Sequence, residues 1–445
     1  MSSLIVSVSG LRGIVGESLT PELAARFACA YASDREAGPI VLARDGRSTG
    51  PMLCDAIRGS LAAIGRKVLF ADVAATPTVG VLVRSYDAAG AIQVSASHNP
   101  SEYNGLKLFA KDGQVLPAAE GEAVVKRFQE SEPAWVDYRG IGEVELVGDT
   151  TSDHIKLVLE TVDADRIRDR RYHVLLDSNH GAGSIMGKRL LDFLGCDVTA
   201  IGDTPNGQFA HPPEPTADNL ADVCDQVLNA KAAVGFCQDP DADRLAIVDE
   251  QGRYVGEEYT LAMCLNHVLQ SRSGPVVINC ATSRMSEDLA DRYEVPLLRS
   301  PVGEANVVEV MKRQKAVFGG EGNGGPIDPR VGYIRDSFVG MALILDAMAA
   351  RDVAVSELAD ELPRYEIHKT KQPLDPAKLN VALTNLENHF ADAEVNREDG
   401  LRLDWPGRWL LIRASNTEPI VRIIAETTSL EQSVALCQEA ADVLK

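Results

Sequence analysis

The sequence predicts an α/β fold: three similar α/β domains with mixed sheets flanked by helices, then a smaller C-terminal α+β domain, set around a central cleft. Three observations predict it. The chain has 445 residues, more than one ordinary hydrophobic core accommodates, and short β-branched runs alternate with longer amphipathic stretches. Distinctive polar clusters fall one per unit, each just beyond a strand-like run, where open α/β sheets place their ligands. After Pro363 the βα rhythm gives way to strand, helix and two more strands.

The first unit is expected over residues 1–149, with strands at Ile40–Ala43, Lys67–Phe70 and Ala91–Val94. A polar span from Glu130 to Asp153, carrying Pro133, Gly140, Gly142 and Gly148, marks its end. The second, 150–253, has strand-like runs at Tyr172–Asp177, Cys196–Thr199 and Ala232–Cys237, and closes where Ile247-Val248-Asp249 turns at Gln251-Gly252. The third, 254–366, repeats the pattern at Val276–Asn279, Val295–Leu298 and Val317–Gly319. The last, 367–445, begins in a strand-like stretch, reads as helical from Pro376 to Phe390, and continues in strands at Trp409–Arg413 and Ile420–Glu426.

Composition narrows the partners. With 44 Lys+Arg against 65 Asp+Glu the net charge is -21, which disfavours nucleic acid and anionic membrane surfaces. An anionic substrate then needs local basic clusters. No apolar run reaches the length of a membrane span, and Met1–Gly10 lacks a basic leader region. The eight cysteines form no C-x-x-C pair and no Cys/His cluster, as expected for a reducing, cytoplasmic setting. Either a monomer or a homodimer fits.

The chemistry concentrates in four loops. Ser97-His98-Asn99-Pro100 follows an apolar strand, and the residue before proline is pushed out of the helical region, so Ser97 is expected exposed at the tip of a turn. Such a serine can carry phosphate, gaining about 1.5 to 2 negative charges. A hydrolase in which His98 activates Ser97 is disfavoured, because adjacent side chains rarely reach the geometry of a catalytic triad. Lys107, ten residues on, is a candidate proton carrier.

Asp239-Pro240-Asp241-Ala242-Asp243-Arg244 is the acidic loop. In an extended segment its three carboxylates face one side, and hard oxygen ligands at that density suit Mg²⁺. A calcium-binding EF-hand reading fails, since Arg244 stands where that loop requires glycine and the flanks are strand-like. An oxygen of phosphorylated Ser97 completes the ligand set. Arg244, and Arg12 within Ser9-Gly10-Leu11-Arg12-Gly13, are planar bidentate clamps for a transferring phosphoryl group.

Gly320-Glu321-Gly322-Asn323-Gly324-Gly325 is glycine-dense, and Glu321 and Asn323 can bind sugar hydroxyls. Arg413, Ser415, Asn416 and Thr417, with Arg422 beyond Pro419, form a cradle for a phosphate that does not react. Each loop is weak evidence alone. Together they assemble phosphoryl transfer on a sugar.

In order and wording these loops resemble the α-D-phosphohexomutases, the superfamily of phosphoglucomutase, phosphomannomutase and phosphoglucosamine mutase. The resemblance runs from Arg12 to the loop at Arg413, with further matches at Arg44-Asp45-Gly46-Arg47-Ser48 and Asp177-Ser178-Asn179-His180-Gly181-Ala182-Gly183. It implies four domains, the last a mobile lid, and assigns Ser97 as the phosphoserine. It further implies Asp239, Asp241 and Asp243 as Mg²⁺ ligands, Glu321 and Asn323 as sugar ligands, and Arg413 to Thr417 with Arg422 as the grip on the distal phosphate. A hexose 1,6-bisphosphate serves as intermediate and activator. Two departures stand out: Pro240 and Ala242 replace usual glycines, and Gly325 stands where many members carry histidine. The Glu-Gly-Asn-Gly-Gly wording and His211-Pro212-Pro213-Glu214-Pro215 look most like the archaeal-type phosphoglucosamine mutase branch. Glucose or mannose phosphates are the alternative substrates, and a metal-dependent sugar phosphatase or a non-catalytic sugar-phosphate-binding protein are remoter readings.

Overall fold

A computed structural model describes residues 4–414 and 420–444. Two compact units emerge from the packing: Met1–His267 with Asn323–Ala359, and Val268–Gly322 with Asp360–Lys445. Among the described residues no helix is long and apolar enough to cross a membrane.

The first unit holds a seven-stranded mixed sheet, ordered Ile5–Ser7, Gly10–Ile14, Tyr103–Phe109, Gly90–Val94, Ile40–Arg44, Val68–Val73 and Val144–Leu146. The fully buried strand Gly90–Val94 runs parallel to Ile40–Arg44 and antiparallel to Tyr103–Phe109. Buried strands read as continuous apolar runs, which is why these were legible. The loops that leave Ile40–Arg44 and Gly90–Val94 exit side by side at one edge. Helix Pro21–Ser33 starts where Thr20 caps Leu23 N and proline occupies the first turn, then packs Phe27 and Tyr31 into the core.

A four-stranded sheet follows, ordered Leu245–Asp249, Val234–Gln238, His173–Asp177 and Asp197–Ile201. Its two central strands are parallel, so the loops after Asp177 and Gln238 also emerge together. Helix Ser337–Arg351, buried from Ser337 through Ala349 and opened by Asp336 accepting from Phe338 N and Val339 N, belongs to this unit.

In the second unit Leu297–Ser300, Val276–Asn279 and Phe318–Glu321 lie adjacent and parallel. The strand expected at Val295–Leu298 begins two residues later, because Pro296 has no N–H to give and contributes only its carbonyl, which accepts from Val276 N. The C-terminal sheet is antiparallel, ordered Glu366–Pro373, Ile420–Thr427, Arg408–Ala414, Leu401–Trp405 and Glu394–Asn396. Strand Leu401–Trp405 and the closing helix Leu430–Val443 were not anticipated from the sequence.

Candidate active site

Ser97 is only 5% exposed, contrary to the exposed turn expected from its sequence. It adopts φ +48, a region disfavoured for a residue with Cβ, and the surroundings hold it there. Its N–H donates to Ser95 Oγ at 2.9 Å, and that hydroxyl donates to Asp45 Oδ2 at 2.6 Å. Arg47, 1% exposed, binds Asp45 through Nε at 3.1 Å and donates to the carbonyls of Ser97, Asn99, Pro100 and Tyr103. One guanidinium thus ties down the whole loop. Sequence reasoning noted Arg47 as part of a matching motif but gave it no task.

The acidic loop is a turn rather than the extended segment expected. Ala242 takes φ +57, and Asp239 Oδ1 accepts from both Asp243 N and Arg244 N at 3.2 Å. That left-handed position explains why glycine is usual there. Asp239, Asp241 and Asp243 are fully buried, and one oxygen from each lies within 4.8 Å of the others. Cations and a hydroxyl support Asp241 Oδ2 and Asp243 Oδ2. Lys107 Nζ is 2.9 Å from Asp241 Oδ2 and 2.8 Å from Asp243 Oδ2, Thr76 Oγ1 donates to Asp241 Oδ2 at 2.6 Å, and Arg335 Nη2 reaches Asp243 Oδ2 at 2.6 Å. Asp241 Oδ1 and Asp243 Oδ1 are buried without a hydrogen-bond partner. Unsatisfied buried carboxylate oxygens are costly, and an all-oxygen set of this kind fits a hard divalent cation such as Mg²⁺. Burial, then the charges of Asp241 and Asp243, pushes the Asp239 carboxyl well above its usual range. For Asp241, burial pushes upward but Lys107 and Thr76 outweigh it, leaving the group below that range. Asp243 ends low as well: burial again opposes, and Arg335 and Lys107 prevail.

Ser97 Oγ donates to Asp239 Oδ2 at 3.0 Å, so the serine and the acidic loop meet. His98 Nδ1 lies 3.4 Å from the same hydroxyl. Burial, with help from Arg244 and Arg12, lowers His98 to about 3, so its imidazole is neutral near pH 7. Arg12 Nη1 donates to Asn99 Oδ1 at 2.7 Å, and its guanidinium is lowered chiefly by burial. Arg244 stands 3.7 Å from Glu214 Oε1, and its Nε is buried without a hydrogen-bond acceptor. The first unit therefore gathers Ser97, His98, Lys107, Arg12, Arg244 and the three aspartates. Asn323, also in this unit, buries an amide oxygen that has no hydrogen-bond donor.

Gly325 has a local cause in this chain. A Cβ there would sit 2.4 Å from Arg335 Cδ, so the arginine that braces Asp243 occupies the space a side chain would need.

In the second unit Glu321 Oε1 accepts from Asn279 Nδ2 at 2.7 Å and Gly303 N at 3.1 Å. Arg413 and Arg422 face each other directly in the antiparallel register, and Lys371 faces Arg422 from the other side. Three cations in one row on one face, of which Arg413 is paired with Asp399, make a basic strip suited to an anion. Lys371 gave no signal in the sequence. Ser415, Asn416 and Thr417 lie outside the described residues.

A serine in hydrogen-bond contact with a buried carboxylate trio, on a chain of α/β domains followed by an antiparallel module, defines a phosphoryl-transfer enzyme of sugar phosphates. Comparison with known proteins agrees over the whole chain. The phosphoglucomutase/phosphomannomutase families match domain by domain: α/β/α domain I at residues 4–134, domain II at 152–252, domain III at 257–365 and the C-terminal domain at 375–443. A phosphoglucomutase/phosphomannomutase of Thermococcus kodakarensis is 34% identical over 447 residues, covering 97% of this chain and 98% of its own. A "Probable phosphoglucosamine mutase" of Methanosarcina acetivorans is 34% identical over 420 residues, covering 94% of each chain. Among solved structures, a phosphoglucomutase/phosphomannomutase family protein of Burkholderia thailandensis aligns with a TM-score of 0.84 at 25% identity, covering 99% of this chain and 97% of that one. The chain belongs to the α-D-phosphohexomutase superfamily and is a phosphosugar mutase, an isomerase.

Proposed function

We propose that this mutase interconverts glucosamine 6-phosphate and glucosamine 1-phosphate through phosphorylated Ser97 and a bisphosphate intermediate. The contact between Ser97 Oγ and Asp239 Oδ2 at 3.0 Å carries the reading, since it sets the reacting oxygen beside three carboxylates. The amino sugar rests on the loop wording at Glu321–Gly325 and on relatives named as phosphoglucosamine mutases.

In the forward direction the bond between phosphorus and Ser97 Oγ breaks and one to the sugar's free C1 hydroxyl forms. That hydroxyl's proton leaves to Lys107. Arg12 and Arg244 hold the transferring group, aligned by Asn99 and Glu214. After the bisphosphate turns around, Ser97 Oγ takes the 6-phosphoryl group and the proton returns to the sugar oxygen, releasing the 1-phosphate. Arg413, Arg422 and Lys371, with Ser415, Asn416 and Thr417, grip the phosphate that is not reacting, while Glu321 and Asn323 bind hydroxyls. Mg²⁺ held by Asp239, Asp241, Asp243 and a phosphoserine oxygen would draw electrons from phosphorus and, by taking over the carboxylates' charge, let Lys107 shed its proton. Residues 1–149, 150–253, 254–366 and 367–445 are the domains in this reading, the last acting as a lid that keeps water from the phosphoenzyme. A cytoplasmic monomer or homodimer is the setting we favour, in keeping with eight unpaired cysteines.

The name of the Thermococcus kodakarensis relative favours a second reading, with glucose or mannose phosphates as substrates. A coupled mutase assay with Mg²⁺ and catalytic bisphosphate, across the 6-phosphates of glucosamine, N-acetylglucosamine, glucose and mannose, decides. A dominant kcat/KM for glucosamine 6-phosphate supports the proposal; preference for glucose or mannose overturns the amino-sugar assignment. Release of inorganic phosphate in place of the 1-phosphate overturns the mutase cycle.

A further inference from the structure

Asp399 sits in the turn between the C-terminal strands Glu394–Asn396 and Leu401–Trp405. Gly400 follows it at φ +81, and a Cβ at Gly400 would lie 2.2 Å from the carbonyl oxygen of Ile412. Only glycine lets this turn press so closely on the strand that carries Arg413. The result is that Asp399 Oδ2 lies 3.1 Å from Arg413 Nε, as a charge pair whose N–H is not aimed along the contact. The same oxygen accepts a hydrogen bond from Val302 N at 2.9 Å. The next amide, Gly303 N, donates to Glu321 Oε1. Both amides stand just before helix Glu304–Gln314, at the end that favours negative charge.

We infer that Asp399 is a positioning residue that fixes the distance between the phosphate grip at Arg413 and the sugar grip at Glu321. The inference rests on the site reading proposed above and deepens it. One carboxylate oxygen holds Arg413 on one side and, through the Val302-Gly303 turn, the seat of Glu321 on the other. A bisphosphate must be gripped in two opposite orientations, and a fixed spacing between phosphate and hydroxyl ligands lets one set of side chains serve both.

The second unit has separate anchors, so the fold does not depend on this contact. Glu426 Oε1 accepts from Trp409 Nε1 at 2.7 Å and Arg284 N at 2.8 Å, and Arg402 binds the Cys280 carbonyl while pairing with Asp404.

The test uses the full-length protein with Mg²⁺ and compares Asp399→Ala, Asp399→Asn, Arg413→Ala and the double variant Asp399→Ala/Arg413→Ala. Asp399→Ala is expected to raise KM for the 6-phosphate about tenfold while kcat stays within about threefold, the pattern of lost binding rather than lost chemistry. Asp399→Asn, whose amide oxygen still accepts from Val302 N, recovers most of the affinity. The double variant binds somewhat worse than Arg413→Ala alone but by less than the full Asp399→Ala loss, because only the arm through Val302 and Gly303 is then left to lose. Phosphorylation of Ser97, read by peptide mass, is unchanged in all of them. An unaltered KM in Asp399→Ala, or additive losses in the double variant, overturns the inference. Should the wild type bind glucosamine 6-phosphate or glucose 6-phosphate without isomerising it, the mutase cycle fails but calorimetric affinities of the same variants still decide on Asp399. A wild type that binds neither overturns both.

Discussion

Arg47 Nη2 donates to the carbonyl of Ser97 at 2.7 Å, holding from beneath the residue on which the proposed chemistry turns. The guanidinium reaches three further carbonyls and the buried carboxylate of Asp45. Replacing it with alanine leaves Asp45 buried without its charged partner. Arg47→Ala should therefore lose about 3–5 kcal/mol of stability, the scale for breaking a buried ion pair. Urea unfolding measures the loss, and limited proteolysis should show the Ser97 loop newly cleavable.

Gly325 and Arg335 predict a dependence between two substitutions. Because a Cβ at Gly325 would sit 2.4 Å from Arg335 Cδ, Gly325→Ala should cost about 1–3 kcal/mol by overpacking. In an Arg335→Ala background the contacts with Cδ and Cγ are gone and only Cβ, at 3.0 Å, remains, so the same change should cost clearly less. A double-mutant cycle by denaturant unfolding checks this; equal costs in both backgrounds would contradict the geometry.

Lys371, Arg422 and Arg413 form a row across three strands. Lys371→Ala should weaken binding of a hexose phosphate about fivefold to tenfold and make the remaining affinity less salt-sensitive, since one screened charge is lost. Without ligand, the variant should be no less stable than wild type, because removing one of three like charges relieves repulsion. Calorimetry at two salt concentrations and a thermal melt read both effects.

His211 gives the protein a pH signature. Burial opposes its charged form, but the hydrogen bond from Nε2 to Asp177 Oδ2 at 2.7 Å, and that carboxylate's charge, outweigh it, so the pKa is raised above its ordinary value. A group raised on folding contributes stability that is complete below the unfolded pKa, about 6.5, and fades as pH climbs through the folded value. The stability difference between wild type and His211→Gln should thus be larger at pH 5.5 than at pH 9. A difference that grows toward alkaline pH would show that the imidazole is held neutral.

The sequence by itself determined the succession of α/β units and the chemistry-bearing loops, since buried strands write themselves as apolar runs and ligand loops follow them. Ile40–Arg44, Gly90–Val94 and Val234–Gln238 are of this kind. It also marked Ser97 and the aspartates as candidates, because a local spacing of hydroxyl, proline and carboxylates is itself the signal, and the structure brings them into contact. Local spacing could not foresee that Ala242 turns left-handed, that Ser97 is buried, or that His98 is brought to its neighbour's hydroxyl.

Only the tertiary structure decided the partners. Arg47 meets Ser97 across 50 positions, Arg335 meets Asp243 across 92, and Lys371 aligns with Arg422 through strand register. Arg335 and Lys371 do not stand out where they lie in the chain, and Arg47 was noted only as part of a matching motif. What fixes Arg47 and Arg335 is the cost of leaving buried carbonyls and carboxylates unpaired, and what places Lys371 is strand register, constraints that appear only once the strands and loops have been folded against one another.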